Sequence, residues 1–73
     1  MMFYYVSIAC VDGETEWSMR ATAKIRILKF LDEYDHEGAS ISLNVEEYLP
    51  NGTYFSIAIL YGEDVYHTLR EKN

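Results

Sequence analysis

The sequence predicts an α+β domain: an antiparallel four-stranded sheet of two hairpins, a central helix on one face, and a short helix at the end. Three observations carry this. Two turn signals, Asp12-Gly13 and Pro50-Asn51-Gly52, each sit between segments whose apolar residues alternate, and a stretch with helical spacing separates them. The order is therefore ββαββ with a terminal α, in a single domain over residues 1–73.

Asp12-Gly13 reads as a two-residue type I′ turn, whose central positions both need positive φ. Closing a hairpin there opposes Ile8 with Trp17, Val6 with Met19, Tyr4 with Ala21 and Met2 with Ala23, an entirely apolar face. The other face opposes Ala9 with Glu16, Ser7 with Ser18, Tyr5 with Arg20 and Phe3 with Thr22. A slip of one residue would destroy this sorting, so pattern and turn specify one register. Residues 17–23 also suit a helix by composition, but strict alternation from Trp17 to Ile27 favours a strand.

At the second turn, Pro suits the first corner of a type I turn and Gly52 the left-handed position of a three-residue loop. Leu49 then faces Thr53. One face opposes Val45 with Ile57, Leu43 with Ile59 and Ile41 with Tyr61. The opposite face holds Tyr48 with Tyr54, Glu46 with Ser56, Asn44 with Ala58 and Ser42 with Leu60.

Between the hairpins, Ile27, Leu28, Leu31 and Tyr34 recur at helical spacing, which predicts a helix over 24–37 with Thr22 as cap and Gly38 just past its end. After Gly62, Asp64 can cap a short helix with Val65, Tyr66 and Leu69 on one face; an edge strand is the alternative.

Composition bounds function. Seventy-three residues leave no room for separate catalytic and cofactor-binding halves, and no cofactor is implied. Twelve acidic against six basic residues give a net charge of −6, which disfavours nucleic acid and anionic membrane as partners. Cys10 is the only cysteine, which excludes an intrachain disulfide and fits a reducing, cytoplasmic setting. The apolar start, residues 1–11, lacks a basic leader and is too short to span a bilayer as a helix, so it reads as a strand.

Chemistry-bearing patterns are sparse. Asp35-His36-Glu37 resembles a ligand cluster, but neighbours on a helix diverge by about 100°, so a solvated helix end is the simpler reading. His67 reads as a surface residue and Cys10 as a small buried hydrophobe. Glu46 and Glu47 point to opposite sides of a strand, and no phosphate-cradling loop or nucleotide fingerprint is present. The expectation is a protein with no catalytic residue and no metal site.

What remains is surface. The sheet face opposite the central helix is expected to carry Phe3, Tyr5, Ala9, Tyr48, Tyr54 and Leu60 with Arg20, Glu16 and Glu46. Tyr5 with Arg20 forms an expected cation–π pair and Tyr48 with Tyr54 an aromatic pair. Tyrosine and arginine are the residues most enriched in binding hot spots. The acids Asp32, Glu33, Asp35 and Glu37 crowd the helix C-terminal end, where the macrodipole favours bases. Phe3, Tyr5, Arg20, Glu46, Tyr48, Tyr54, Asp32, Glu33 and Asp35 are therefore the candidate partner-binding residues. The expected function is a small acidic protein-interaction module, an inhibitor of a larger protein that has a basic surface. Phage-encoded viral inhibitors and DNA mimics are similar in size and charge sign, an analogy of composition that rests on no motif. The alternative is a self-associating structural domain, a homodimer; a ligand-binding or enzyme domain is the third reading.

Overall fold

A computed structural model describes residues 1–72. Strands β1 (Met2–Ala9) and β2 (Glu16–Ala21) precede helix α1 (Lys24–Tyr34); strands β3 (Ser40–Tyr48) and β4 (Tyr54–Tyr61) follow, then helix α2 (Glu63–Arg70). The four strands form one antiparallel sheet in the order β2-β1-β3-β4. The first strand thus lies inside the sheet, joined to β3 by eight residue pairs from Met2 with Glu47 to Ala9 with Ser40. β2 and β3 run the same way with β1 between them, so their connection must cross a face of the sheet, and α1 makes that crossing.

The hydrophobic effect assigns that face. Tyr4, Val6 and Ile8 of β1 meet Ile41, Leu43 and Val45 of β3 on one side, beneath Ile27 and Leu31 of α1. Val65 and Leu69 of α2 enter the same core, so both helices lie on one side of a two-layer fold. Trp17 closes the edge of this core by packing edge-on against Tyr34, at 4.7 Å between ring centroids.

The first hairpin has the register that its alternation demands, from Tyr4 with Ala21 to Ala9 with Glu16. Two details differ. β2 ends at Ala21, so the expected pairing of Met2 with Ala23 is replaced by the start of α1, with Ala23 as its N-cap. The connection is wider than a type I′ turn: Gly13 N–H donates to Cys10 O at 3.0 Å, Cys10 N–H donates to Thr15 O at 2.8 Å, and only the glycine has positive φ. Asp12 acts through its side chain instead. Its carboxylate accepts the Glu14 and Thr15 amides, both at 2.9 Å, and the Thr15 hydroxyl at 2.7 Å. These bonds hold its pKa down, at about 2.

The second hairpin has the expected three-residue loop, with Gly52 at φ 88° and Leu49 N–H on Thr53 O at 2.8 Å. Pairing proceeds as expected through Tyr48 with Tyr54 and Glu46 with Ser56. A β-bulge then shifts the register, so that Val45 faces Ala58, Asn44 faces Ile59, Leu43 faces Leu60 and Ser42 faces Tyr61. Because side chains alternate, that one extra residue exchanges the faces. Leu60, expected on the open face, packs on the core, while Ile59 and Tyr61, expected inside, lie on the open face.

α1 stops at Tyr34 rather than at Glu37, and Thr22 makes no cap bond. His36 explains the early stop. Its Nε2 accepts the Val11 amide at 3.2 Å, which leaves Nδ1 to carry the ring proton and donate to Tyr34 O at 3.1 Å. The ring therefore caps a terminal helix carbonyl and ties it to the first hairpin's tip, where a solvated residue was expected. Gly38 follows at φ 88°, and a Cβ there would meet Val11 Cγ2 at 2.9 Å. α2 forms as expected but is capped by Gly62, with Asp64 inside its first turn.

Candidate functional site

Both helices cover one face of the sheet, so the other is open. Alternation brings to it the odd-numbered residues of β1, the even-numbered residues of β2 and β3, and Tyr54, Ser56, Ile59 and Tyr61 of β4.

Two rows of side chains organise this surface. At one end, Phe3, Tyr48 and Tyr54 run across three strands: Phe3 and Tyr48 are tilted at 4.6 Å between centroids, and Tyr48 and Tyr54 are stacked at 4.8 Å with 13° between planes. The stack follows from the hairpin register, which makes Tyr48 and Tyr54 direct cross-strand neighbours. Beside it, the Arg20 guanidinium lies 4.4 Å from the Tyr5 ring centroid. Arg20 Nε donates to Glu46 Oε1 at 2.9 Å, and Asn44 Nδ2 to Glu46 Oε2 at 3.3 Å. Both pairs expected from the sequence are thus present.

Glu46 itself is only 1% exposed. It belongs to this face but offers no atom to a partner: its carboxylate orients Arg20 and raises the guanidinium pKa. Arg20 is fixed between an aromatic ring and a carboxylate to which its Nη2 also donates, at 3.5 Å, while the side chain stays 41% exposed, a preorganised arrangement that loses little side-chain entropy on docking.

The nine candidate residues do not form one surface. Phe3, Tyr5, Arg20, Glu46, Tyr48 and Tyr54 share the open face. Asp32 and Glu33 lie on α1 and Asp35 directly after it, in the layer across the sheet. Asp35 already accepts the Tyr66 hydroxyl at 2.6 Å, and burial, followed by this bond, pushes the phenol up to about 12. An open groove of about 560 Å³ beside them is lined by Asp35, His36, Ile41, Tyr61, Glu63 and Tyr66. Its imidazole spends both nitrogens on backbone groups, which leaves it no free base. Cys10 is half-buried rather than enclosed, and burial with the nearby Asp12 raises its thiol pKa, the opposite of nucleophile activation. Among the described residues, no three of His, Cys, Asp and Glu group to hold a metal ion, and no helix is long and apolar enough to cross a membrane.

Sequence reasoning missed the most exposed apolar surface. Tyr54, Phe55, Ile57, Ile59 and Tyr61 of β4 are between 50% and 66% exposed, yet all but Tyr54 were absent from the expected open face. The available signal was the composition of β4, eight residues without a charge. No protein-family model matches this chain, and no curated protein or solved structure is significantly similar to it.

Proposed function

We propose that this chain is a protein-interaction module whose docking surface is the open sheet face, centred on Phe3, Tyr5, Arg20, Tyr48 and Tyr54. The observation that carries the reading is the placement of both helices on one side, which leaves an ordered aromatic and arginine surface without a cover. Rigid aromatic rings with polar tips combine contact area with a small entropy loss, as hot-spot residues do.

The partner is another protein, and the net charge of −6 favours one with a basic surface. A module without catalytic groups acts by occupancy, so the activity proposed is inhibition of the protein it covers. The setting proposed is the cytoplasm, where a single unpaired thiol such as Cys10 stays reduced. Asp32, Glu33 and Asp35 act at long range, by steering the encounter rather than by contact.

The test is capture from the source cell with wild-type protein and with Tyr48→Ser/Tyr54→Ser. A stoichiometric partner retained by the first and lost by the second, with the variant still folded, supports the reading. Undiminished capture by the double variant, or loss only on neutralising Asp32, Glu33 and Asp35, overturns it.

A further inference from the structure

We propose that the outer edge of β2, with the groove between it and α1, binds an extended acidic peptide segment of another protein, which joins the sheet as a fifth strand antiparallel to β2. This site is distinct from the open face and rests on other observations: an uncovered backbone edge, and two unpaired cations beside it.

The strand order makes β2 an edge, and among the described residues it touches only β1 and α1. Its ladder fixes which backbone groups face outward. Cys10 N–H donates to Thr15 O at 2.8 Å, and the pairing from Ala9 with Glu16 to Tyr4 with Ala21 is regular. Alternation therefore turns Trp17, Met19 and Ala21 toward β1, and the N–H and C=O groups of Glu16, Ser18 and Arg20 outward. The neighbouring ladder agrees. Tyr48 N–H on Met1 O makes the odd residues of β1 those bonded to β3, which leaves its even residues for β2.

One stripe of α1 overlooks this edge. Arg26, Lys29, Phe30 and Glu33 share a side of the helix by their spacing, and with Ser18 and Met19 they line an open groove of about 490 Å³. The helix runs back along β2. Lys24 at its start lies over the ring of Tyr4, the partner of Ala21, and Tyr34 at its end meets Trp17. Arg26 and Lys29 thus lie toward the Ala21 end of the groove and Glu33 toward the Trp17 end.

Charge selects the occupant. Arg26 and Lys29 are exposed and make no ion pair or hydrogen bond among the described residues. Four of the chain's six basic residues fall between Arg20 and Lys29, with no acid among them. Screening over about 8 Å at physiological salt lets these near charges outweigh the net −6 of the whole chain. A strand laid on β2 puts every second side chain on the helix side, opposite Trp17, Met19 and Ala21. An apolar side chain opposite Met19 then lies beside Phe30, and a carboxylate opposite Ala21 faces Arg26 and Lys29. Main-chain bonds supply the affinity of such strand addition, and alternate side chains its preference.

The probe is a fluorescein-labelled peptide, Glu-Thr-Glu-Thr-Ile-Thr-Val-Thr, read by anisotropy and by amide spectra of the full chain. Binding should be saturable, and the Ser18 and Arg20 amides should shift and exchange more slowly. Arg26→Gln/Lys29→Gln, which keeps helix propensity, should weaken binding about tenfold, as should Gln in place of both peptide glutamates. Arg70→Gln/Lys72→Gln makes the same change in net charge at the other helix and should leave affinity within about twofold. N-methylating the peptide threonine between isoleucine and valine, which falls opposite Ser18, should abolish binding; N-methylating the isoleucine, whose N–H points away, should not. No saturable binding below about 1 mM overturns the proposal. So does equal binding of the Gln peptide, indifference to the threonine methyl, shifts confined to the Tyr48 and Tyr54 face, or self-association that protects the Ser18 amide without peptide.

Discussion

Removing the Arg20 guanidinium while keeping its hydrocarbon cover isolates the electrostatics of the open face. Arg20→Met leaves the Glu46 carboxylate with one polar neighbour, Asn44 Nδ2 at 3.3 Å, in a site where Glu46 is 1% exposed. Orphaning one member of a buried ion pair costs about 3–5 kcal/mol. Here the arginine side chain is 41% exposed, so water reaches part of the vacated space and the expected loss falls to about 2–3 kcal/mol. In a domain of this size that lowers Tm by about 10–20 °C. Arg20→Met/Glu46→Met replaces both charges with apolar chains of similar length and should return to within about 1 kcal/mol of wild type. Urea denaturation of wild type, Arg20→Met, Glu46→Met and the double variant then gives a coupling energy of about 2 kcal/mol. Additive single losses, or a loss below about 0.5 kcal/mol for Arg20→Met, would mean that the pair is an ordinary surface bridge and the face is not preorganised.

Three further outcomes follow from the geometry. Deleting Ile57 removes the bulge residue while preserving every cross-strand pair of β4, so the variant should fold with the same faces and a Tm within about 8 °C, about 1 kcal/mol, of wild type; an unfolded chain would show that the bulge is needed. The Asp12 carboxyl has a folded pKa of about 2, below its ordinary value, so its stabilisation is complete above about pH 4 and disappears as pH falls through 2. Asp12→Ala should flatten Tm against pH in that window. Tyr66 has the opposite sign: its phenol, pushed up to about 12, stabilises the fold in its neutral form below about pH 10, and that contribution is lost as pH rises through 12. Tyr66→Phe should remove the ultraviolet titration step near 12 and cost about 1 kcal/mol at neutral pH.

The legible parts of this chain are those where polar and apolar residues alternate. From Tyr4 to Ala21 every face assignment is set by contrast between neighbours, so the first hairpin's register holds even though its turn is of another type. Asp12 has two ways to make a turn, by adopting positive φ or by accepting amides with its side chain, and the two share a register. β4 offers no such contrast: Ile57-Ala58-Ile59-Leu60 reads the same in either register, so a bulge costs little in burial and leaves no mark in the residues. That is why Ile59 and Tyr61 were expected inside. The end of α1 was misjudged for another reason. His36 acts through Val11, twenty-five residues earlier, and a contact that distant has no local pattern. The Tyr5–Arg20 and Tyr48–Tyr54 pairs were legible because cross-strand neighbours follow from register alone, whereas the burial of Glu46 depends on where the arginine folds down.

The inner position of β1 has a consequence for the order of assembly. Its hairpin with β2 closes over a short loop and can form within microseconds, but its other side stays open until β3, more than thirty residues further along, arrives. Until then Tyr4, Val6 and Ile8 have no lid. The rate-limiting event is therefore expected to be the docking of β3, with α1 spanning the gap, and core substitutions in β3 such as Leu43→Ala should slow folding more than equally destabilising ones in α2 such as Leu69→Ala. Because β1 lies between β2 and β3, its core-facing side chains are protected only once the later hairpin has docked.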